Sequence, residues 1–176
     1  NSVVTALVPK ATGGVRPIGM FCGLYRLWAR ARRPIAADWE EQNSRGYFTA
    51  MAGNGALDTA WDQAIRNERA VGKGQVCASV LVDLRSFYEF FDHDLLRQRA
   101  DAAGFPGAVT RLSIAGYCAP RLIAREGKVG APLSASRGVI AGCTLATTWV
   151  KVYCRDAFDA FVKRHAGLGF RFEAYI

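Results

Sequence analysis

The stretch from Val76 to Leu84, VCASVLVDL, constrains this chain more than any other. It is apolar almost throughout, rich in β-branched side chains, and broken by a single acid, Asp83. Such a run predicts a strand buried on both faces, with the carboxylate at its carboxyl end. An isolated carboxylate is costly to bury, so Asp83 needs a turn to cap or a cation to hold. A carboxylate leaving an apolar strand into a cleft suits a hard cation such as Mg²⁺. Phe87 and Tyr88 follow within LRSFYEFFDHDLL, where a ring could stand against the sugar of a nucleotide or simply join the core.

The flanking sequence sets a mixed class around that strand. Thr5–Pro9 and Val15–Met20 are short apolar segments joined by Ala11-Thr12-Gly13-Gly14, a hairpin signal. From Leu24 the period turns helical, with Leu24, Leu27, Trp28 and Ala31 on one face and Arg26, Arg30 and Arg33 on another. Pro34 is expected to break or kink this helix. Leu57, Ala60, Trp61, Ala64 and Ile65 predict a second amphipathic helix, ended near Gly72-Lys73-Gly74. Asp92 is an N-cap for a helix through Leu95 and Leu96, and Pro106 opens another. Arg121–Arg125 and Leu133–Ser136 are further strand candidates. Gly142 opens a long helix carrying Leu145, Trp149, Val152 and Phe161 and ended by Gly167 and Gly169, and Phe170–Ile176 begins another strand. Helices and strands mix without βαβ alternation, so the class is α+β.

Composition excludes several functions. With 51% hydrophobic and 11% aromatic residues, the chain of 176 residues is too apolar to be disordered. The charge-free stretch from Gly138 to Val150 falls well short of the ~20 residues of a membrane-spanning helix, so no membrane role is expected. Five widely spaced cysteines with no CxxC pair argue against a disulfide framework or a zinc site, and for a reduced, intracellular setting. The net charge is +8, and it is uneven. Lys10, Arg16, Arg26, Arg30, Arg32 and Arg33 all lie before Asp38, the first acid in the chain. Such a segment suits a polyanion, with arginine apt for bidentate phosphate contacts. Asn1 at one end, and Ile176 within a strand-like run at the other, read as the ends of a fragment.

These blocks occur in an order that resembles the reverse transcriptases of non-long-terminal-repeat retrotransposons and group II introns. LVPK, GGVRPIGM and LYRLWAR resemble the fingers blocks, and GYFTAMAGNGALDTAW the block before the palm. VLVDLRSFYEFFDHDLL is similar to the first catalytic block, and RGVIAGCTLATTW to the G-V-P-Q-G-x-x-L-S block. FEAYI would lead into the Y-x-D-D turn, cut after its second residue. The resemblance runs from about Ala6 to Ile176.

It implies a right-hand polymerase fold, an antiparallel palm sheet with packed helices: residues 1–75 fingers-like, 76–176 a partial palm. It implies extension of a DNA or RNA primer with dNTPs on an RNA template by two-metal nucleotidyl transfer. Asp83 would be catalytic and would bind Mg²⁺ together with the Leu84 carbonyl. Lys10, Arg16, Tyr88 and Gly142 would contact the nucleotide, Tyr88 as the sugar-selecting ring. The location would be intracellular, and nuclear for a eukaryotic element. Two positions depart from the pattern: Ala141 stands where Gln is usual, and Glu89 where Asp is commoner. The first leaves an alternative, a non-catalytic RNA-binding scaffold or a decayed copy of a retroelement. The 176 residues alone are expected not to polymerise.

Overall fold

The structure, a computed structural model, describes residues 2–50, 53, 55–84 and 86–175. Their class is mixed α and β: five α-helices and a four-stranded sheet. The chain divides into two compact units, each assembled from two separated stretches.

The first unit comprises Asn1–Gln42 and Ser86–Phe158. Strands β1 (Val3–Pro9) and β2 (Val15–Met20) form the expected hairpin, paired from Val4↔Met20 to Pro9↔Val15. Gly13 and Gly14 turn it with φ of 87° and 80°, where a Cβ is disfavoured. Strand β3 (Arg121–Arg125) joins β1 in parallel, and the short β4 (Lys128–Val129) follows antiparallel, giving the order β2-β1-β3-β4. The sheet is therefore mixed, not antiparallel. β3 follows two helices instead of a tight turn, and such a crossover lets it run alongside β1.

Helices α1 (Gly23–Gln42), α3 (His93–Ala102), α4 (Gly107–Tyr117) and the first part of α5 (Ala146–His165) enclose the core of this unit. Their meeting point is aromatic. Phe105 lies 4.7 Å from the Trp149 ring and 5.5 Å from Trp39, whose indole N–H donates to the Ala103 carbonyl at 2.9 Å. Trp149, Tyr117, Phe91 and Leu96 are completely buried. Asp92 caps α3 as expected, its carboxylate accepting from the Leu95 N–H at 2.7 Å.

Helix α1 departs from expectation twice. It runs through Pro34 without interruption, and its buried face passes through Ala29, Ala36 and Trp39, leaving Leu24 and Leu27 exposed. Pro34 removes one hydrogen bond, yet buried side chains on both sides of it hold the helix in register. Glu40 pins the same helix to α5. It accepts from Lys151 at 2.7 Å, from Arg33 at 2.8 Å and from the Thr148 hydroxyl.

The second unit comprises Asn43–Arg85 and Asp159–Ile176. Here α2 (Ala56–Gly72) forms where periodicity places it, yet buries no residue; Leu57 and Trp61 are exposed. Arg66 of α2 holds Glu173 at 2.8 Å, and Asp159 accepts from Arg45 and Tyr47 at 3.1 and 2.8 Å. Phe161 packs edge-on against Phe170 and Phe172. The strand expected at Phe170–Ile176 is reduced to one parallel bridge, Phe48↔Ala174, with Ile176 outside the described residues. Leu133–Ser136 likewise forms only the bridge Arg121↔Leu133.

The largest correction concerns Val76–Leu84. It forms no strand and is exposed along its length, with Val76, Val80 and Leu81 among the most exposed apolar residues described. A strand buried on both faces needs hydrogen-bonding neighbours along both edges. No ladder among the described residues reaches this segment. Its ties are polar: Asn67 of α2 donates to Ser79 Oγ at 3.3 Å and accepts from Cys77 at 3.1 Å.

Glu40 gives this fold a pH signature. Burial alone would raise its carboxyl, but hydrogen bonds from Lys151, Thr148 and Arg33 outweigh it and hold the carboxyl below its ordinary value. A depressed folded-state carboxyl contributes stability that is present above the unfolded value and lost as pH falls through the folded one. Glu40→Ala should cost about 2–3 kcal/mol at pH 7, because it leaves Lys151 half-enclosed without a counter-charge. Thermal unfolding should show that difference shrink steadily below about pH 4.5. A constant difference down to pH 3 would refute the ion-pair account.

Candidate functional site

Three blocks that the resemblance singled out converge within the first unit. The first is the FYEFFD turn. Ser86, in a left-handed conformation at φ 51°, leads into a single 3₁₀ turn, Phe87–Phe90. Phe91 is fully buried, 4.3 Å from the Tyr153 ring of α5. Tyr88 is half-buried, its ring stacked on Phe91, and burial raises its hydroxyl above the ordinary value.

The second block, RGVIAGC, is latched to that turn by its backbone. The Val139 N–H donates to the Tyr88 carbonyl and the Gly138 N–H to the Phe91 carbonyl, both at 2.7 Å. Gly138 makes this approach possible. Its φ is 94°, and a Cβ there would stand 3.1 Å from the Glu89 carbonyl. His93 braces the same loop. Its Nε2–H donates to the Gly138 carbonyl at 2.9 Å, because a carbonyl only accepts. That leaves Nδ1 to accept from Cys118 Sγ at 3.3 Å.

The third block is the end of β2. A Cβ on Gly19 would meet Ile140 Cγ2 at 2.7 Å, and one on Gly142 would lie 3.1 Å from the Gly19 carbonyl. Two bare backbones thus allow the hairpin and the RGVIAGC loop to touch. Ala141 lies between these contacts and is itself exposed.

Lys10 and Arg16 stand at the turn end of the hairpin. The Lys10 N–H donates to the Gly14 carbonyl at 3.1 Å, and Arg16 pairs with Val8 in the ladder. Both side chains are exposed, and neither has an ion-pair partner among the described residues. The first unit thus joins the Tyr88 turn to the Gly142 loop, and Lys10 to Arg16. Asp83 and Leu84 belong to the other unit, on the exposed segment. Asp83 makes no ion pair among the described residues.

For Mg²⁺, these residues offer the Asp83 carboxylate and the Leu84 carbonyl. Among the described residues no cluster of three or more His, Cys, Asp or Glu side chains could hold a metal. Mg²⁺ takes a near-octahedral set of oxygens, so one carboxylate and one carbonyl do not fit the ion by themselves. Sequence reasoning missed Gly138, Gly19 and His93. Gly138 was legible as a glycine within a motif, but the carbonyl it must clear lies 49 positions away at Glu89.

Neither a protein-family model nor a curated protein matches this chain.

Gly138 carries a direct expectation. Gly138→Ala should destabilise the first unit by about 1–3 kcal/mol, through a left-handed backbone and a crowded carbonyl together. Ala141→Gly, at the exposed neighbour, should cost far less. Equal shifts of both variants in thermal unfolding would show that the latch does not depend on a missing side chain.

Proposed function

We propose that this chain belongs to an RNA-directed DNA polymerase, one that extends a primer with dNTPs on an RNA template. One observation supports the reading above the rest: the FYEFFD turn, the RGVIAGC loop and the end of the VRPIGM strand come into contact although far apart in sequence. The resemblance implies that Arg16, Tyr88 and Gly142, one from each of these blocks, meet the same nucleotide. The half-buried Tyr88 ring is fixed by its backbone at the Val139 latch, which suits a part that must exclude a 2′-hydroxyl by position. Lys10 and Arg16, exposed at one end of a hairpin and without an ion-pair partner among the described residues, suit a triphosphate. Gly142 presents bare backbone where a base or sugar can lie close.

Mg²⁺ would be the cofactor, and Asp83 and Leu84 would supply two of the several oxygens that it takes. What these residues would do is bind and select: cations hold the phosphates, the ring reads the sugar, and the backbone loop seats the base pair. Ala141 favours a second reading, a scaffold that holds RNA without polymerising, because a side chain able to hydrogen-bond nucleotide or template is absent there.

The two readings part on triphosphate binding in the presence of a template–primer. The polymerase reading expects a dNTP matching the template to be retained in Mg²⁺, and Lys10→Ala with Arg16→Ala to weaken that retention at least tenfold, about 1.4 kcal/mol. Asp83→Asn should remove the Mg²⁺-dependent part while leaving strand binding intact. Tyr88→Ala should let the matching ribonucleotide bind as well as the deoxynucleotide. RNA binding with no retention of any nucleotide would support the scaffold and overturn the enzyme.

A further inference from the structure

A cavity of about 320 Å³ opens in the first unit beside the RGVIAGC loop, between that loop and the start of α1. Arg26, Arg30, Phe21, Tyr25, Gly142 and Thr144 are among the residues that line it. The two arginines are one helical turn apart, about 6 Å along the axis, and so share a face. No carboxylate lines the cavity. Neither arginine has an ion-pair partner among the described residues, and no acid precedes Asp38 in the chain.

Arg33, one turn further on, shows what a structural arginine looks like in this helix. It is neutralised by Glu40 at 2.8 Å and also reaches the Thr148 hydroxyl. Arg26 and Arg30 line a concavity with no carboxylate paired to them among the described residues. Gly142, Cys143 and Thr144 of the lining lie just before α5, which begins at Ala146. Phe21 and Tyr25 stack at 4.0 Å and give the lining an aromatic surface. Two fork-shaped donors and an aromatic surface suit phosphates joined to stacking bases.

We infer that this cavity seats phosphate groups, with Arg26 and Arg30 each gripping one of two successive phosphates of a single nucleic acid strand. This rests on the polymerase reading and deepens it, since the strand leaving the cavity would pass along Gly142. The same chemistry could serve a free triphosphate, whose phosphates are also adjacent. The i, i+4 spacing of the arginines along an open helix face favours the strand.

The test uses the whole chain and a fluorescent oligouridylate of about twelve nucleotides, read by anisotropy over a salt series. Each phosphate contact on a single strand contributes about 0.7 to the slope of log affinity against log salt, so Arg26→Gln with Arg30→Gln should reduce that slope by about 1.4. Arg32→Gln with Arg111→Gln removes the same charge outside the cavity and should leave the slope nearly unchanged. Circular dichroism should show both double variants folded, because all four side chains are exposed. Equal slope changes in the two double variants, or none in either, would overturn the site while leaving strand binding and the polymerase reading in place. No salt-dependent binding by the unaltered chain would overturn the polymerase reading, and the site with it. A second titration, with dTTP alone, separates the sources of phosphate. Loss of dTTP binding with an unchanged strand slope would overturn the strand assignment in favour of a triphosphate.

Discussion

The first unit depends on two short backbone hydrogen bonds, from Val139 to Tyr88 and from Gly138 to Phe91. They join segments that neither helix nor sheet would bring together, because the Tyr88 turn and the RGVIAGC loop lie outside every strand of the sheet. What surrounds them makes the join rigid. Phe91 is sunk against Tyr153, Ile140 is pressed into the space that Gly19 leaves, and His93 ties the Gly138 carbonyl to α3. A side chain in such a position loses little freedom when a ligand arrives, which is what a selective site needs.

Local chemistry made much of this fold legible. The hairpin followed from Gly13-Gly14 between apolar segments, the start of α3 from Asp92, and that of α4 from Pro106. Each is decided within a few residues of where it acts. Val76–Leu84 failed for the opposite reason. Apolar, β-branched composition says that a segment favours burial and extension, but a strand also needs partners, and partners are a property of the whole chain. Helix α1 failed in a milder way. Its apolar residues are spread around the axis, and only packing decided that Ala29, Ala36 and Trp39 face inward.

The candidate site was legible by residue type and not by arrangement. Lys10, Arg16, Tyr88 and Gly142 were singled out by the resemblance, and the structure sets the two cations on one hairpin and the Tyr88 turn beside the loop that holds Gly142. Charge was the least informative guide. Six basic residues in an acid-free segment look alike on paper, yet Arg33 is consumed by Glu40 while Arg26 and Arg30 face a cavity. The difference lies in a glutamate seven residues after Arg33, which composition cannot weigh.

Both compact units are discontinuous, and this bears on how the chain reaches its native state as it leaves the ribosome. β1 precedes the rest of its unit, but its parallel neighbour β3 begins at Arg121, and the Trp149 that completes the aromatic core comes later still. Until then the hairpin is a two-stranded ribbon with one edge open, a state that is marginal in water. Closure of so long a loop is slow compared with helix formation. The hairpin segment therefore waits, basic and partly apolar, until β3 and α5 have followed it.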